Sequence, residues 1–387
     1  MPKRILVIGH DAYRAGAQIS LLHILRWLKG NYPADLTLLL RAGGALVDDY
    51  ASLLPTRLCE PPPGAGSAQR REHVLRRLAR AVIHPPAKLG RDLDLARMDL
   101  IYCNTVVSLD LLPELLSARH CPAICHVHEL EMATRRFVSV ERFRRAQPYA
   151  DAYIAASRAV ATNLVNNHGV SPARIHQIYE AIALPPLRAT AGTGAVQDTL
   201  SLPPNAFVVG GCGTMDWRKS PELFLQVAHR LRRHTPGRPV HFVWVGGHAS
   251  GSEFDRLTYD IEKMGLRGSV HLVGPQSEPM KYFSRFDVFL LTSREDPFPL
   301  VCLEAAALRV PTICFADAGG MPEFVQDDAG FVVPYLDIDR AAQCILSLVH
   351  SEALRSQLGR RAAEKAQDHD IELIGPQVAA VLDKYAR

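Results

Sequence analysis

Short apolar runs of strand length alternate with segments of helical periodicity along the chain, and this alternation constrains the fold more than any other feature. Strands are predicted at residues 5–9, 36–40, 100–103, 123–127, 152–155, 207–211, 240–245, 269–272, 288–291 and 312–315. Helices are predicted at residues 19–28, 108–118, 157–168, 221–233, 254–264, 279–283, 300–309, 338–348 and 374–385. Strands that alternate with helices form parallel sheets covered by helices on both faces. The sequence therefore predicts an α/β fold.

A segment rich in proline, alanine, threonine and glycine separates two series of strands. The chain has 387 residues, more than one hydrophobic core normally supports. We therefore predict a first doubly wound domain at 1–187, a linker at 188–204, a second doubly wound domain at 205–370, and a terminal helix at 371–387 that can belong to either domain. Because ligands of open α/β sheets bind beyond the carboxyl ends of the strands, we expect a site in a cleft between the two domains.

Charge and apolar content argue against several classes of protein. The formal net charge of +4 is too small an excess to indicate nucleic-acid binding. No apolar stretch approaches the roughly 20 residues that span a bilayer, and the first residues lead into a predicted strand rather than a secretory signal. Several of the eight cysteines lie in apolar runs, so we expect them to be buried free thiols. Free thiols are typical of proteins in reducing compartments. We expect a cytoplasmic protein.

Two clusters of arginine stand out from this nearly neutral background. They consist of Arg70, Arg71, Arg76, Arg77 and Arg80, and of Arg135, Arg136, Arg142, Arg144 and Arg145. A solvated helix face and a loop would explain them. The alternative partner is an anionic membrane surface, since each nearby arginine contributes about 1 kcal/mol to such binding. The protein would then be peripheral at the inner face of the membrane.

Residues 293–304 carry the strongest indication of chemistry. An acidic turn containing Asp296 follows an apolar strand, and Pro299 suits the first position of a helix that continues through Leu300 and Val301. The unpaired N–H groups of such a helix start form an anion site that suits a diphosphate. Carboxylates would repel a diphosphate, so Asp296 and Glu304 are expected to accept hydrogen bonds from sugar hydroxyls instead.

This segment resembles the acidic motif of retaining GT-B glycosyltransferases, especially glycosyltransferase family four. The family motif is Glu-Gly-Phe-Gly-Leu-Pro-x-x-Glu, and aligning Phe298, Leu300 and Glu304 puts Asp296 at the first acid with the same spacing. Residues 318–323 resemble the family's downstream Gly-Gly-x-Pro-Glu turn. The resemblance implies a GT-B fold with two Rossmann-like domains facing a central cleft. It also implies that Glu304 binds the nucleotide ribose and that Asp296, an Asp where the family has Glu, lies near the transferred sugar.

Two glycine-containing turns also match phosphate-binding elements of that family. Gly213 lies in a glycine-rich turn after a strand, and Arg218 and Lys219 follow before a helix. The resemblance implies that Lys219 neutralises the donor diphosphate. The family's arginine would fall at Thr214, so Arg218 is the candidate replacement. Gly16 would allow backbone amides to approach the diphosphate because it has no side chain.

Polar residues also end two strands of the first domain. His128 follows the strand at 123–127, where related glycosyltransferases have a histidine beside the donor sugar, and Asn104 follows the strand at 100–103. Asn104 is therefore a candidate site residue, and a plain strand cap is the alternative interpretation. A zinc site is an alternative, with the candidate ligands Cys121, Cys125, His126 and His128. Their spacing matches no known zinc finger. Arg294 receives no role, since it could contact substrate or pair with an adjacent acid.

The resemblance implies a retaining transferase that uses no metal and no protein nucleophile. The diphosphate would take the acceptor proton, while Lys219 and the helix amides stabilise its charge and Asp296 supports an oxocarbenium-like transition state. The expected partners are a nucleotide-diphosphate sugar and a glycan, glycolipid or lipid-linked acceptor in polysaccharide or glycolipid biosynthesis. Two alternatives stay open: a nucleotide-sugar epimerase, and a non-catalytic nucleotide-sugar or glycan-binding protein.

Overall fold

The computed structural model describes residues 2–59, 95–116, 121–184, 200, 202–232 and 238–386. The chain divides into two compact units, one formed by Met1–Ala181 with Ile371–Arg387 and the other by Ile182–Asp370. The linker predicted at 188–204 lies outside the described residues except for 200 and 202–204, and the arginine cluster at 70–80 lies wholly outside them.

The first unit is built on a sheet of seven parallel strands in the order β3-β2-β1-β4-β5-β6-β7. The strands are β1 (Lys3–Gly9), β2 (Ala34–Leu40), β3 (Thr56–Leu58), β4 (Leu100–Asn104), β5 (Ala123–Val127), β6 (Ala152–Ala155) and β7 (Ile175–Gln177). The central strands β4, β5 and β6 are buried along their whole length. Such continuous burial is expected of strands that have helices on both faces.

Helices cover this sheet. They are α1 (Gly16–Asn31), α2 (Val47–Leu53), α3 (Val106–Leu109), α4 (Leu112–Leu115), α5 (Glu131–Phe137), α6 (Val140–Ala146) and α7 (Arg158–His168), with 3-10 turns at Leu95–Arg97, Gln147–Tyr149 and Pro172–Arg174. The single helix predicted at 108–118 is wrong, since two short helices occupy most of that segment. Pro113 lies in the first turn of α4, where it needs no backbone N–H donor but would interrupt a longer helix.

The second unit contains six parallel strands in the order β10-β9-β8-β11-β12-β13. The strands are β8 (Phe207–Cys212), β9 (Val240–Val245), β10 (Val270–Gly274), β11 (Val288–Leu291), β12 (Thr312–Phe315) and β13 (Gly330–Val333). The helices are α8 (Pro221–Leu231), α9 (Ser252–Lys263), α10 (Met280–Phe283), α11 (Leu300–Ala307), α12 (Met321–Val325), α13 (Ile338–His350) and α14 (Glu352–Ala366), followed by a 3-10 turn at Gln367–His369.

The last helix, α15 (Ile371–Tyr385), returns to the first unit. Ile374, Val378 and Leu382 are buried in the core that also contains the apolar face of α1. Gly375 faces the indole of Trp27 so closely that an added Cβ would lie 2.3 Å from it. The side chains of α15 therefore complete the hydrophobic core of the first unit.

Each sheet has its first strand, β1 or β8, near the middle, with later strands added on both sides. The predicted doubly wound α/β fold is confirmed in both units. The strand order reverses between β1 and β4 and between β8 and β11, and residues beyond the carboxyl ends of the strands at such a point line a crevice. In the described parts of the chain, no helix combines the length and the apolar character needed to cross a membrane.

Candidate functional site

A glycine-rich turn after β8 carries Lys219 to the start of α8. Gly213 has a φ of +153°, a conformation that L side chains rarely adopt. A Cβ at Gly213 would lie 2.9 Å from Cγ of Lys219, so the lysine side chain packs directly on the glycine. The Asp216 carboxylate holds the turn by accepting the backbone N–H of Lys219 at 3.0 Å and the hydroxyl of Thr214 at 2.9 Å.

Lys219 and Asp296 form a buried ion pair between Nζ and Oδ2. The other carboxylate oxygen of Asp296 is 3.6 Å from a terminal nitrogen of Arg218, and the hydroxyl of Ser293 donates to Oδ2 at 2.9 Å. Burial would raise the pKa of Asp296, but the positive charges of Lys219 and Arg218 outweigh it, and the net pKa is lowered. Asp296 is therefore an ionised carboxylate held by two cations and a hydroxyl.

The backbone of the acidic turn is attached to the downstream glycine turn. The N–H of Asp296 donates to the carbonyl of Ala318 at 2.7 Å, and its carbonyl accepts the N–H of Gly320 at 3.1 Å. These two hydrogen bonds fix the Asp296 backbone against residues 318–320. The two segments that resemble family motifs are thus in direct contact.

Arg294 pairs with an acidic residue outside the turn, a partner that the sequence did not indicate. Its guanidinium pairs with the carboxylate of Glu222 on α8 and donates to the carbonyl of Trp217 at 3.2 Å. It also lies 5.6 Å from the centre of the Trp217 ring, within cation–π range. Arg294 therefore anchors the acidic turn to the segment that precedes α8.

The helix that carries Glu304 begins at Leu300, as the prediction of a helix at 300–309 has it. Pro299 is the N-cap, with extended backbone angles, and α11 starts at Leu300. The prediction that Pro299 takes the first helical position is therefore wrong; its ψ of 122° keeps it outside the helix. The side chains of Phe298 and Leu300 are buried, so these residues can contact a ligand only through their backbone. The side chain of Val301 is partly exposed. Glu304 is partly buried, and burial raises its pKa to about 7.

In the first unit, His128 is joined to two other elements through both ring nitrogens. Nε2 lies 3.0 Å from Oδ1 of Asn104, the last residue of β4, and Nδ1 lies against a carboxylate oxygen of Glu180. The side-chain NH₂ of Asn104 donates to the carbonyl of Ala17 at 3.0 Å, and the hydroxyl of Ser20 donates to the other oxygen of Glu180. This network connects His128 to the first turn of α1.

Opposing effects act on the pKa of His128. Burial lowers it, but the carboxylates of Glu180 and Glu129 outweigh burial, and the net pKa is raised. Glu129 accepts the backbone N–H groups of His128 at 3.0 Å and Val106 at 3.3 Å. Burial raises the pKa of Glu129 to about 7. His128 is therefore a buried ring whose protonated form is favoured by two neighbouring acidic side chains.

A second polar cluster follows β1. Gln18 reaches both His10, at 2.9 Å, and the carboxylate of Asp11, while Thr105 Oγ1 lies 3.2 Å from His10 Nδ1. Burial is the main cause of the lowered pKa of His10. A Cβ at Gly16 would meet no protein atom within 4 Å, so the space over this turn is open.

Sequence reasoning missed several of these polar residues: His10, Asp11, Gln18 and Glu180. The available signal for the first two was their position immediately after β1, at the carboxyl edge of the sheet. Gln18 lies in the segment interpreted as a phosphate turn, and Glu180 lies in no motif; only the folded chain brings Gln18 to His10 and Glu180 to His128.

The residues of the alternative zinc site have other partners. The hydroxyl of Tyr102 lies 2.6 Å from His126 Nδ1, and the thiol of Cys125 is 3.6 Å from the carbonyl of Thr105. Within the described ranges, no group of three or more His, Cys, Asp or Glu side chains could hold a metal ion. Nothing in their arrangement supports the zinc alternative.

The structure thus brings Gly213, Arg218, Lys219 and Asp296 together in the second unit, with Glu304 on the helix that follows Asp296. In the first unit it connects His128 to the turn that contains Gly16, through Asn104 and Ala17. The assignment of these residues to a sugar, a ribose or a diphosphate stays a prediction.

Two family models match the chain. Residues 197–365 match the model described as Glycosyl transferases group 1, and residues 31–184 match the model described as Glycosyltransferase Family 4. A curated relative, the D-inositol 3-phosphate glycosyltransferase of Streptomyces bingchenggensis, is 29% identical over 225 residues, which is 56% of this chain and 49% of the relative. The match thus spans about half the length of that relative.

Solved structures resemble the chain over nearly its whole length. The Anabaena protein Alr3699/HepE, in a complex with UDP and glucose, has a TM-score of 0.80 and 20% identity, covering 98% of this chain and 99% of that one. Sucrose-phosphate synthase from Thermosynechococcus elongatus has a TM-score of 0.79 and 20% identity, covering 99% and 98%. At this level of identity, the likeness establishes the fold.

Proposed function

Because the chain belongs to the GT-B glycosyltransferases, we propose that it is a retaining enzyme that moves a sugar from a nucleotide-diphosphate sugar to a glycan, glycolipid or lipid-linked acceptor. The observation that carries this proposal is the contact of Lys219, Arg218 and Asp296 beyond the carboxyl ends of β8 and β11. Two cations and one ionised carboxylate are the charges needed at the junction of a diphosphate and a sugar.

In the proposed donor complex, the diphosphate lies near Lys219 and the start of α11. Lys219 and Arg218 supply positive charge, and the first N–H groups of α11 supply hydrogen-bond donors. Glu304, about one turn into α11, accepts hydrogen bonds from the ribose hydroxyls. In the first unit, Gly16 leaves room for backbone amides to approach phosphate oxygens, and His128 lies on the donor-sugar side.

The proposed reaction breaks the bond between the anomeric carbon and the diphosphate oxygen and forms a bond from that carbon to an acceptor oxygen on the same face. The acceptor proton passes to the leaving diphosphate. Asp296 stabilises the positive charge that develops on the sugar ring, and Lys219 stabilises the negative charge that develops on the diphosphate. Because side chains provide this charge compensation, the proposed chemistry requires no metal.

The ion pair between Lys219 and Asp296 implies that donor binding is an exchange of partners. Lys219 now neutralises a carboxylate, and a diphosphate placed beside it competes for the same ammonium group. Arg218 and Ser293 also contact Asp296, so the carboxylate keeps two partners when Lys219 turns toward phosphate. The exchange makes Asp296 available to the sugar at the time the diphosphate is bound.

The names of similar proteins suggest which substrates to test first. Alr3699/HepE has been solved with UDP and glucose, and with UDP-glucose, so uridine nucleotide sugars come first among donors. Several curated relatives are named for D-inositol 3-phosphate, so phosphorylated polyols join glycans and lipid-linked sugars in the acceptor panel.

The test begins with thermal shifts of the full chain against a panel of nucleotide sugars, because a ligand that binds the folded state raises its melting temperature. The donor so identified is then tested for transfer to the acceptor panel, with the anomeric configuration of the product assigned by NMR. We expect Glu304→Ala to weaken donor binding and Lys219→Ala to lower turnover. The exposed Glu253→Ala on α9 is the control. Full activity in both site variants, or an inverted product, would contradict the proposal.

The arginines of α5 and α6 support a peripheral role at an anionic membrane surface. Arg135 pairs with Glu131 and Arg142 with Asp110, which leaves Arg136, Arg144 and Arg145 exposed on the same two short helices. Exposed cations of this kind are attracted to anionic lipid headgroups. Flotation with phosphatidylserine vesicles, but not with phosphatidylcholine vesicles, is expected and should be lost in a variant with these three arginines replaced by glutamate. Absence of flotation by the wild type contradicts this part of the proposal.

A non-catalytic sugar-nucleotide binder is the second candidate. This candidate is favoured by Thr214, which stands where the family has an arginine and therefore supplies no positive charge. Its hydroxyl donates a hydrogen bond to Asp216 within the turn. Donor binding without transfer to any acceptor, and without donor hydrolysis, would support this candidate over the enzyme.

A further inference from the structure

The hydrogen bonds around His128 determine which of its ring nitrogens carry protons. The NH₂ group of Asn104 donates to the carbonyl of Ala17 at 3.0 Å, so the amide oxygen of Asn104 is the atom that faces His128. An amide oxygen can only accept a hydrogen bond. Nε2 of His128, 3.0 Å away, must therefore carry a hydrogen.

The other ring nitrogen faces an acceptor as well. Nδ1 lies against one carboxylate oxygen of Glu180, and the second oxygen of Glu180 accepts the hydroxyl of Ser20. An ionised carboxylate only accepts hydrogen bonds, so Nδ1 must also carry a hydrogen. A ring with hydrogens on both nitrogens is an imidazolium, and it has no lone pair left to take a proton.

We infer that Glu180 is a positioning residue that holds His128 as an imidazolium, and that His128 connects Glu180 through Asn104 to the turn containing Gly16. The link runs from Glu180 to Nδ1, through the ring to Nε2, to the Asn104 oxygen, and from the Asn104 NH₂ group to the Ala17 carbonyl. His128 in this state cannot act as a general base. Its protonated ring instead fixes the geometry of the first turn of α1.

The groups that surround His128 are consistent with this charge. Glu180 comes from the segment after β7 and Glu129 from the segment after β5, and both raise the pKa of His128. His126, on β5, lies with its ring centre 4.1 Å from that of His128, and burial lowers its pKa well below the usual range. His10, after β1, also has a lowered pKa, mainly through burial. The neighbouring histidines are therefore neutral at neutral pH, and His128 is the charged one of the three.

The direct test is the ring nitrogen spectrum of the full chain labelled with ¹⁵N-histidine, with His128 assigned by the His128→Gln variant. In the wild type at pH 7, both ring nitrogens of His128 should be protonated. In Glu180→Gln, which keeps the shape of the side chain and removes its charge, the titration midpoint of His128 should fall by about 1–3 pH units. Glu131→Gln, which removes the carboxylate 2.9 Å from His168 in the same unit, should leave His128 unchanged.

A wild-type spectrum with only one protonated nitrogen on His128 would overturn the inference, and so would a wild-type spectrum at pH 7 in which no histidine ring has both nitrogens protonated, a result that needs no assignment by a variant. An unchanged midpoint in a folded Glu180→Gln variant would also overturn it. Because neither measurement uses a substrate, both can fail or succeed independently of the proposed transferase activity.

A kinetic measurement extends the test and rests on the proposed function. If His128 holds the Gly16 turn for the donor, the KM for the donor should rise with pH as His128 loses its proton. In Glu180→Gln that rise should move to lower pH. A residue that only stabilised the fold would lower activity at every pH without moving the profile, and that outcome would contradict the positioning role.

Discussion

At the scale of single residues, the site of the second unit depends on one pair of opposite charges. Removing either charge alone is expected to lower the stability of the fold. Lys219 and Asp296 are both largely removed from water, and Asp296 has Arg218 as a second cation. A buried charge whose partner is removed destabilises a protein more than the intact pair stabilises it. In the proposed donor complex, the pair would therefore couple stability to donor binding.

This coupling predicts different results for single and double substitutions. Lys219→Met should lower the free energy of unfolding by about 3–5 kcal/mol, because Asp296 keeps its charge and loses its main partner. The double variant Lys219→Met/Asp296→Leu should recover most of that loss, because neither buried charge remains. Chemical denaturation measures both. Arg267→Met, at an exposed ion pair with Glu262, is the control and should change stability by less than about 1 kcal/mol. A single variant as stable as the control would show that the pair is not coupled to folding.

Glu304 predicts how donor affinity depends on pH. Its pKa is raised to about 7 by burial, so its carboxylate is only partly ionised at neutral pH. The ionised form is the better acceptor for ribose hydroxyls, so ionisation of Glu304 should lower the donor dissociation constant as pH rises through about 7, opposite in sign to the effect expected when His128 loses its proton. Calorimetric titration at several pH values checks this. In Glu304→Gln the fall in the dissociation constant near pH 7 should vanish; a variant that retained this fall would assign the titration to another group.

Sequence alone predicted the residue types of this site better than their partners. Lys219 and Asp296 were assigned to different parts of a ligand, yet they bind one another in the structure. Arg294 was left without a role, and in the structure it pairs with Glu222 on another element. Side-chain pairing across such separations depends on how loops pack, and no local pattern of residues encodes that.

At the scale of secondary-structure elements, the two glycines of the predicted phosphate turns differ in what they require. Gly213 has positive φ and touches the side chain of Lys219, whereas a Cβ at Gly16 would meet no protein atom within 4 Å. Gly16 is also the first residue of α1, where alanine is a favourable helix former. Gly213 is needed for the conformation of the folded chain, whereas Gly16 leaves space that a ligand can occupy.

Alanine substitutions should separate these two roles. Gly213→Ala should lower stability by about 1–3 kcal/mol through backbone strain and displacement of Lys219. Gly16→Ala should leave the melting temperature unchanged or slightly raised, but weaken donor binding if backbone amides approach the diphosphate there. Thermal unfolding and donor titration of both variants check this. Equal donor affinity in Gly16→Ala and the wild type would remove Gly16 from the site.

Several of the elements missed from the sequence have a weak local signal. β3 and β7 have three residues each and lack a continuous apolar run, and β13 is a four-residue strand that begins at glycine. The helix α14 buries few of its side chains, so its apolar periodicity is weak. These elements are stabilised by the strands or helices that pack against them. Their own apolar pattern is too short or too weak to predict them from the sequence.

At the scale of the whole molecule, the repeated alternation of strands and helices was enough to predict two doubly wound sheets. Right-handed crossovers and short connections leave few topologies for such a pattern. The terminal helix α15 could not be assigned in the same way, because its apolar face fits any hydrophobic groove. In the structure Ile374, Val378 and Leu382 lie in the core of the first unit.

Truncation of the chain after Asp370 tests that assignment. It removes α15, so the core of the first unit loses buried side chains and exposes the face of α1 beside Trp27. The first unit should lose its cooperative unfolding transition, while the second unit, which has its own core, should keep one. Differential scanning calorimetry measures both. Leu373→Ala, at an exposed position of α15, is the control and should unfold like the wild type. An unchanged profile after truncation would contradict the role of α15.

The most direct test of the account is calorimetric titration of nucleoside diphosphates, beginning with UDP, into the wild type and into Lys219→Met/Asp296→Leu. The double variant is the suitable comparison because its stability is expected to be close to that of the wild type. We expect at least one nucleoside diphosphate to bind the wild type and to bind the double variant at least about tenfold more weakly, equivalent to a loss of about 1.4 kcal/mol. Equal affinity for both proteins, or no binding of any nucleoside diphosphate to the wild type, would contradict the assignment of a diphosphate-sugar donor to Lys219 and Asp296.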